Sequence, residues 1–196
     1  MSRSHPAPGP GDSLASRLRH ELGINLNHCY QCGKCAAGCP VAEEMDNTSC
    51  QTLRLIQLER PEMDRRVLES EAIWLCLACE TCSTRCPQEV EVAKVMDYVR
   101  EASLALNLAH PKSRDILAFH RAFLDSIRVT GRLYEIGLVA DYKVRSRHFL
   151  KDVLLAPKMF TRGKLPLLPH LIQGRDAIKR IFRRTLGANP EQGGKP

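Results

Sequence analysis

Nine cysteines dominate the chemistry open to this 196-residue chain, and eight of them fall into two matching blocks. Cys29-x-x-Cys32-x-x-Cys35-x-x-x-Cys39-Pro40 is repeated position for position by Cys76-x-x-Cys79-x-x-Cys82-x-x-x-Cys86-Pro87. Thiolates are soft anionic ligands, and four of them suit an iron–sulfur cube, which needs one on each of its irons. Two intervening residues let each successive cysteine swing onto a neighbouring corner of the cube. The fourth cysteine of a block, followed by proline, points away and serves the other cluster of the pair. The spacing therefore predicts two [4Fe–4S] clusters with crossed ligands. One set is Cys29, Cys32, Cys35 and Cys86; the other is Cys39, Cys76, Cys79 and Cys82. Both sets are complete.

Zinc and disulfides are the competing uses of such cysteines. A zinc ion takes four ligands, which would leave the third and fourth cysteine of each block surplus. Disulfides belong to oxidising compartments, and residues 1–12 are polar and rich in Pro and Gly, unlike an export signal. With no apolar run long enough for a bilayer either, the expectation is a cytoplasmic protein whose thiols are metal ligands.

Other candidates carry less. Gly33, Ala36, Ala37 and Gly38 in the first block, and Ala78, Thr81, Ser83 and Thr84 in the second, are small or polar. They let backbone N–H groups approach cluster sulfurs, or they are simply loop residues. Lys34 and Arg85 sit beside ligands and could offset cluster charge, or could be solvated surface residues. Cys50 has no counterpart in the repeat and reads as a buried, inert thiol. His28 would be a ligand only if a cysteine were missing, and none is. His110, His120 and His148 read as packed or exposed helix residues, and Met45, Met63 and Met96 as core filler. No catalytic residue is expected on this chain.

Helices must position the blocks. Asp12 or Ser13 can cap a helix carrying Leu14, Leu18 and Leu22, with Gly23 as its stop. A second helix starts at Asn47 or Thr48, turns Leu53 and Ile56 inward and stops before Pro61; residues 62–74 read as one further helix. After the second block a helix runs from about Val90 to Leu108, with Val92, Met96, Val99 and Ser103 along one face. Another runs from about Lys112 to Thr130, with Ile116, His120, Phe123 and Ile127 at helical spacing and Gly131 as its stop. Residues 133–160 predict one or two helices broken near Gly137 and Pro157. Gly163 to Gly174 reads as extended, and a basic helix spans about Asp176 to Leu186. No run alternates like a strand, so the fold class is all-α.

Between Cys39 and Cys76 lie 36 residues with helical periodicity. That favours a helical ferredoxin domain over the compact, short-stranded bacterial ferredoxin. The predicted organisation is a disordered tail over 1–12, a helical ferredoxin domain with two [4Fe–4S] sites over 13–110, a helical docking extension over 111–186 and a second tail over 187–196.

The segments HCYQCGKCAAGCPV at 28–41 and IWLCLACETCSTRCPQEVEVAKVMDYVR at 73–100 resemble the C subunit of heterodisulfide reductase (HdrC). The resemblance continues through GRLYEIGL at 131–138 and MFTRGKLPLLPH at 159–170, and covers about residues 14 to 185. It implies an electron-transfer role beside two partners, an HdrA-like flavoprotein and an HdrB-like, cysteine-rich catalytic protein. It also implies a place in sulfur metabolism, since relatives serve methanogenic heterodisulfide reduction and bacterial sulfur oxidation. The chain itself has no GxGxxG fingerprint after a strand and no spare cysteine-rich repeat, so flavin and disulfide chemistry would belong to partners.

Two other functions compete. A freestanding ferredoxin-type carrier, or an iron–sulfur member of another redox complex, would use the same blocks, but a mobile carrier needs little beyond its cluster domain. A nucleic-acid-binding protein is suggested by the net charge of +7 and by Lys179, Arg180, Arg183 and Arg184. Only 5% of residues are aromatic and no nucleic-acid module is recognisable. Two oxidised cubes with their thiolates carry roughly −4 together, which would bring the chain to roughly +3.

Overall fold

The computed structural model describes residues 12–147 and 171–186, and among these the only regular elements are helices. The chain divides into two compact units, His5–Ser113 and Arg114–Pro196 with Met1–Ser4. Residues 1–11 of the tail predicted over 1–12, the tail over 187–196, the break near Pro157, His148 and the segment 159–170 lie outside the described residues.

In the first unit, helix α1 (Leu14–Leu22) is opened by the Ser13 side chain, which accepts from the Ser16 amide, and closed by Gly23 at φ 71. The one-turn helix α2 (Lys34–Ala37) lies within the first cysteine block. Helix α3 (Ser49–Gln57) begins with a reciprocal cap between Thr48 and Gln51, and turns Leu53 and Ile56 into the core. Helix α4 (Pro61–Leu68) has proline in its first turn, where a missing N–H costs nothing. Two more one-turn helices, α5 (Ala72–Leu75) and α6 (Thr81–Thr84), flank the start of the second block. Helix α7 (Val92–Ala105) presents Val92, Val95, Met96, Val99 and Ser103 inward. Each such aliphatic side chain contributes about 1.5–3 kcal/mol by leaving water. The Ser103 hydroxyl donates to the Leu68 carbonyl at 2.7 Å, tying α7 to the end of α4.

The single helix expected over 62–74 is instead two, α4 and α5, separated at Glu69 to Glu71. The cause is remote in sequence. Asp46 accepts hydrogen bonds from the Ser70 hydroxyl at 2.7 Å, the Ala72 amide at 2.8 Å and the Glu71 amide at 3.3 Å. These amides are satisfied by the carboxylate and so do not continue the α4 ladder. The contact also ties the exit of the first block to the entrance of the second.

Burial acts to raise the Asp46 pKa, but its hydrogen bonds from Ser70, Ala72, Glu71 and Asn47 together hold it below the ordinary carboxylate value. Asp46→Ala is therefore expected to lower folding stability by about 2 kcal/mol, measurable as an earlier thermal transition of the anaerobic protein. Because the folded pKa is depressed, this contribution is present above the unfolded value of about 3.9 and disappears as pH falls through the folded one. The stability gap between wild type and Asp46→Asn should thus be full at neutral pH and close in acid.

In the second unit, α8 (Arg114–Thr130) and α9 (Glu135–Ser146) are packed together, and helix Arg175–Leu186 also touches α8. The buried positions of α8 are Ala118, Ala122 and Thr130, not the expected stripe of Ile116, His120, Phe123 and Ile127. Phe119 meets Tyr142 edge-on, with ring centroids 6.0 Å apart. Arg145 on α9 reaches Asp125 on α8 at 2.8 Å and Asp141 at 2.9 Å. Helix α9 does not break at Gly137 as expected: the Tyr134 ring lies where a Cβ would be, 2.6 Å from that position. Packing against the ring offsets the roughly 1 kcal/mol that glycine costs inside a helix. Gly131 does end α8, at φ 85.

Candidate metal centre

The two cysteine blocks fold as copies of one another. Each has a left-handed residue two positions after its first cysteine, Gln31 at φ 63 and Ala78 at φ 49. Each has another directly after its second cysteine, Gly33 at φ 78 and Glu80 at φ 61. One helical turn follows, α2 in the first block and α6 in the second, and these two turns touch. Left-handed backbone costs a non-glycine residue about 1–2 kcal/mol, so three such residues in the cysteine loops mark a functional constraint. Alternation of left- and right-handed residues turns successive N–H groups to one side, making a concavity for anions.

Cys39 of the first block and Cys76, Cys79 and Cys82 of the second line one partly open cavity. Pro40, Met45 and Ser49 close it from the first half of the unit, and Ala93 and Met96 from α7. Around the exposed Tyr30 ring lie Cys32, Cys86 and Cys29; the Tyr30 hydroxyl is pushed above its ordinary value by lost hydration first and then by these thiols. Cys35 is buried and, with Cys29, faces Cys50. The structure thus brings Cys39 to the thiols of the second block and Cys86 to those of the first.

Among the described residues, no three His, Cys, Asp or Glu side chains converge tightly enough for a single metal ion. A lone zinc at Zn–S distances of about 2.3 Å would hold its sulfurs within about 4 Å of one another. Four thiols lining one cavity match the ligand number of an iron–sulfur cube.

Hydrogen-bond donors surround these thiols. Cys79 is drawn below the ordinary thiol value by the Thr81 hydroxyl and then the Thr81 amide. Burial pushes Cys76 and Cys82 up, against the amides of Ala78 and Ser83. The Val90 amide donates to Cys86 Sγ at 3.3 Å, and Gln31 Nε2 donates to Cys29 Sγ at 3.4 Å. Buried thiols of this kind give up their protons when a cationic centre replaces them. Arg85 lies across Gly38, where any Cβ would come within 2.6 Å of its Cδ, so glycine admits this cation beside Cys39. Arg85 and Lys34 are both exposed.

The expectation that Cys50 is buried needs correcting. Its side chain is half-buried and its thiol donates to Gln31 Oε1 at 3.2 Å. Gln31 also donates to Gln57 Oε1 at 3.2 Å, and Gln57 Nε2 donates to the Cys29 carbonyl at 2.9 Å. Cys50 therefore belongs to a polar network behind Cys29; burial first, then the neighbouring Cys35, raises its pKa. Sequence reasoning missed Gln31, Gln57, Asp46 and Ser49. The repeat gave no signal for them, because all the non-cysteine positions between the ligands differ from one block to the other. His28 and His120 are exposed, and His110 is half-buried with its Nδ1 at 3.3 Å from the Lys112 amide.

The model of the 4Fe–4S dicluster domain family matches residues 25–90. The C subunit of a ferredoxin:CoB-CoM heterodisulfide reductase from Methanosarcina acetivorans is 34% identical over 47% of this chain and 36% of its own. This chain carries a 4Fe–4S dicluster domain and resembles the C subunit of heterodisulfide reductase. The second C-type iron–sulfur subunit of CoB–CoM heterodisulfide reductase from Methanocaldococcus jannaschii is 29% identical over 63% of this chain and 66% of its own. The C2 subunit of an H2/formate:CoB-CoM heterodisulfide,ferredoxin reductase from Methanococcus maripaludis is 36% identical over 44% of this chain and 46% of its own. The chain thus spans between about a third and two thirds of the length of these curated relatives. It binds two [4Fe–4S] clusters within an all-helical dicluster domain. No described helix is long and apolar enough to cross a membrane.

Proposed function

We propose that this chain is the iron–sulfur electron-transfer subunit of a heterodisulfide reductase-like complex. It relays electrons between an HdrA-like flavoprotein and an HdrB-like, cysteine-rich catalytic protein, in the cytoplasm and in the service of sulfur metabolism. Cys29, Cys32, Cys35 and Cys86 hold one cluster; Cys39, Cys76, Cys79 and Cys82 hold the other. The observation that carries this reading is the cavity ringed by Cys39 and the three thiols of the second block. A [4Fe–4S] cluster supplies reversible one-electron storage when bound.

The chain's own residues set the terms of that storage. The amides of Ala78 and Ser83 and the hydroxyl of Thr81 donate to thiolate sulfur, which favours the charged ligand form. Cys39 and Cys86 each follow the third cysteine of their own block closely and reach across touching helical turns, so each site is bolted to the other by a few covalent bonds. That short, rigid link suits transfer between the two.

The test is reconstitution. Under anaerobic conditions the purified chain should bind the HdrA-like and HdrB-like proteins of its own organism, and reduced flavoprotein should reduce the HdrB-like protein only when this chain is present. Equal transfer without it would refute the relay.

A further inference from the structure

Ser49 is the first residue of α3 and is 4% exposed, and it lines the cavity bounded by Cys39, Cys76, Cys79 and Cys82. Its Oγ is fully buried, yet it makes no hydrogen bond within the protein. Buried hydroxyls nearly always have partners, because an unmade hydrogen bond forfeits the hydration lost on folding. Thr48, the residue before it, spends its own hydroxyl on the α3 cap and leaves Ser49 free for another use. The nine-residue helix also brings its N-terminal, electropositive end to the cavity wall.

We propose that the Ser49 hydroxyl is a hydrogen-bond donor to a sulfur of the cluster held in this cavity and raises that cluster's reduction potential. The proposal rests on the ligand set given above. Adding an electron makes the cluster and its thiolates more negative, so a fixed donor stabilises the reduced form more than the oxidised form. The other site has a different donor, the Gln31 amide on Cys29. The two clusters are thereby tuned by separate side chains, although their loops are copies. Ser49 is a positioning and tuning residue and takes no part in ligation.

The test uses the full chain, purified anaerobically with both clusters, in a redox titration followed by electron paramagnetic resonance. Ser49→Ala should leave iron and sulfide content unchanged and shift the midpoint of one cluster negative, while the other keeps its midpoint. Ser49→Thr, which retains the hydroxyl, should return the shifted midpoint towards wild type. The cluster that shifts must be the one lost in Cys39→Ser. Unchanged midpoints in Ser49→Ala, or an equal shift in Ser49→Thr, would overturn the hydrogen bond. If the shift falls instead on the cluster that survives Cys39→Ser, the ligand set is at fault and Ser49 serves the other site. Should Ser49→Ala fail to fold, Ser49→Cys, whose thiol is a weaker donor, carries the same measurement.

Discussion

Cys39→Ser is expected to remove about half of the iron and acid-labile sulfide, taking the anaerobic protein from about eight irons to about four. The reason is spatial. Cys39 follows Cys35 closely in sequence, yet it lines a cavity whose other thiols are Cys76, Cys79 and Cys82. The cluster lost should therefore be the one tied to the second block, and its resonance should disappear while the other persists. Cys86→Ser should do the reverse, because Cys86 lies with Cys29 and Cys32 around Tyr30. A serine oxygen is a harder ligand than a thiolate, so iron favours the remaining sulfurs and the four-iron cube is left one corner short. If Cys39→Ser instead destroyed the cluster bound by Cys29, Cys32 and Cys35, crossed ligation would be wrong. Two zincs and no sulfide in the wild type would contradict iron–sulfur altogether.

What could be read directly from residue order was local. The cap expected at Asp12 or Ser13 falls at Ser13, the stop falls at Gly23, and the helix start expected at Asn47 or Thr48 is capped by Thr48, all through residues within one or two turns. The α7 face formed by Val92, Met96, Val99 and Ser103 also follows its 3.6-residue period, because that helix is packed along its length. What escaped was set by distant partners. The break before Ala72 is imposed by Asp46, 26 residues earlier, and no pattern within 62–74 announces it. On α8 the period was right, but the fully buried positions are Ala118, Ala122 and Thr130, while Ile116, Phe123 and Ile127 are half-buried and His120 is exposed.

The site divides in the same way. The two-cluster cofactor was legible because a cube fixes its ligand spacing in the chain itself. The surroundings were not legible, because a donor's role depends on where folding carries it. Gln31 sits inside the first block but acts with Cys50 and Gln57, and Ser49 matters only because α3 begins at the cavity wall. The repeat hides a further asymmetry: the second loop offers the Thr81 hydroxyl to Cys79, where the first has Lys34 at the matching position. Unequal donors around equal ligands are a means by which a protein sets two clusters to different potentials.

Removing residues 160–196 is expected to leave about eight irons in place while abolishing most co-purification of the HdrA-like and HdrB-like proteins. The ligand cysteines all lie in the unit His5–Ser113, so the clusters have no ligand to lose. The deletion takes away helix Arg175–Leu186, which carries Arg175, Lys179, Arg180, Arg183 and Arg184 against the single acid Asp176. Ile178 and Phe182 on this helix are half-buried, while Lys179, Arg180, Arg183 and Arg184 are exposed. A helix that uses one side on its own chain and offers four cations on the other suits an acidic partner surface. Truncation also strips a neighbour from α8, so the electrostatic part needs its own variant. Replacing Arg180, Arg183 and Arg184 together by alanine removes charge but keeps good helix formers in the helix. Its effect on capture should be clear at low salt and shrink near 1 M, where screening acts over about 3 Å. Full assembly and normal electron transfer by the truncated chain would leave the extension without its docking role.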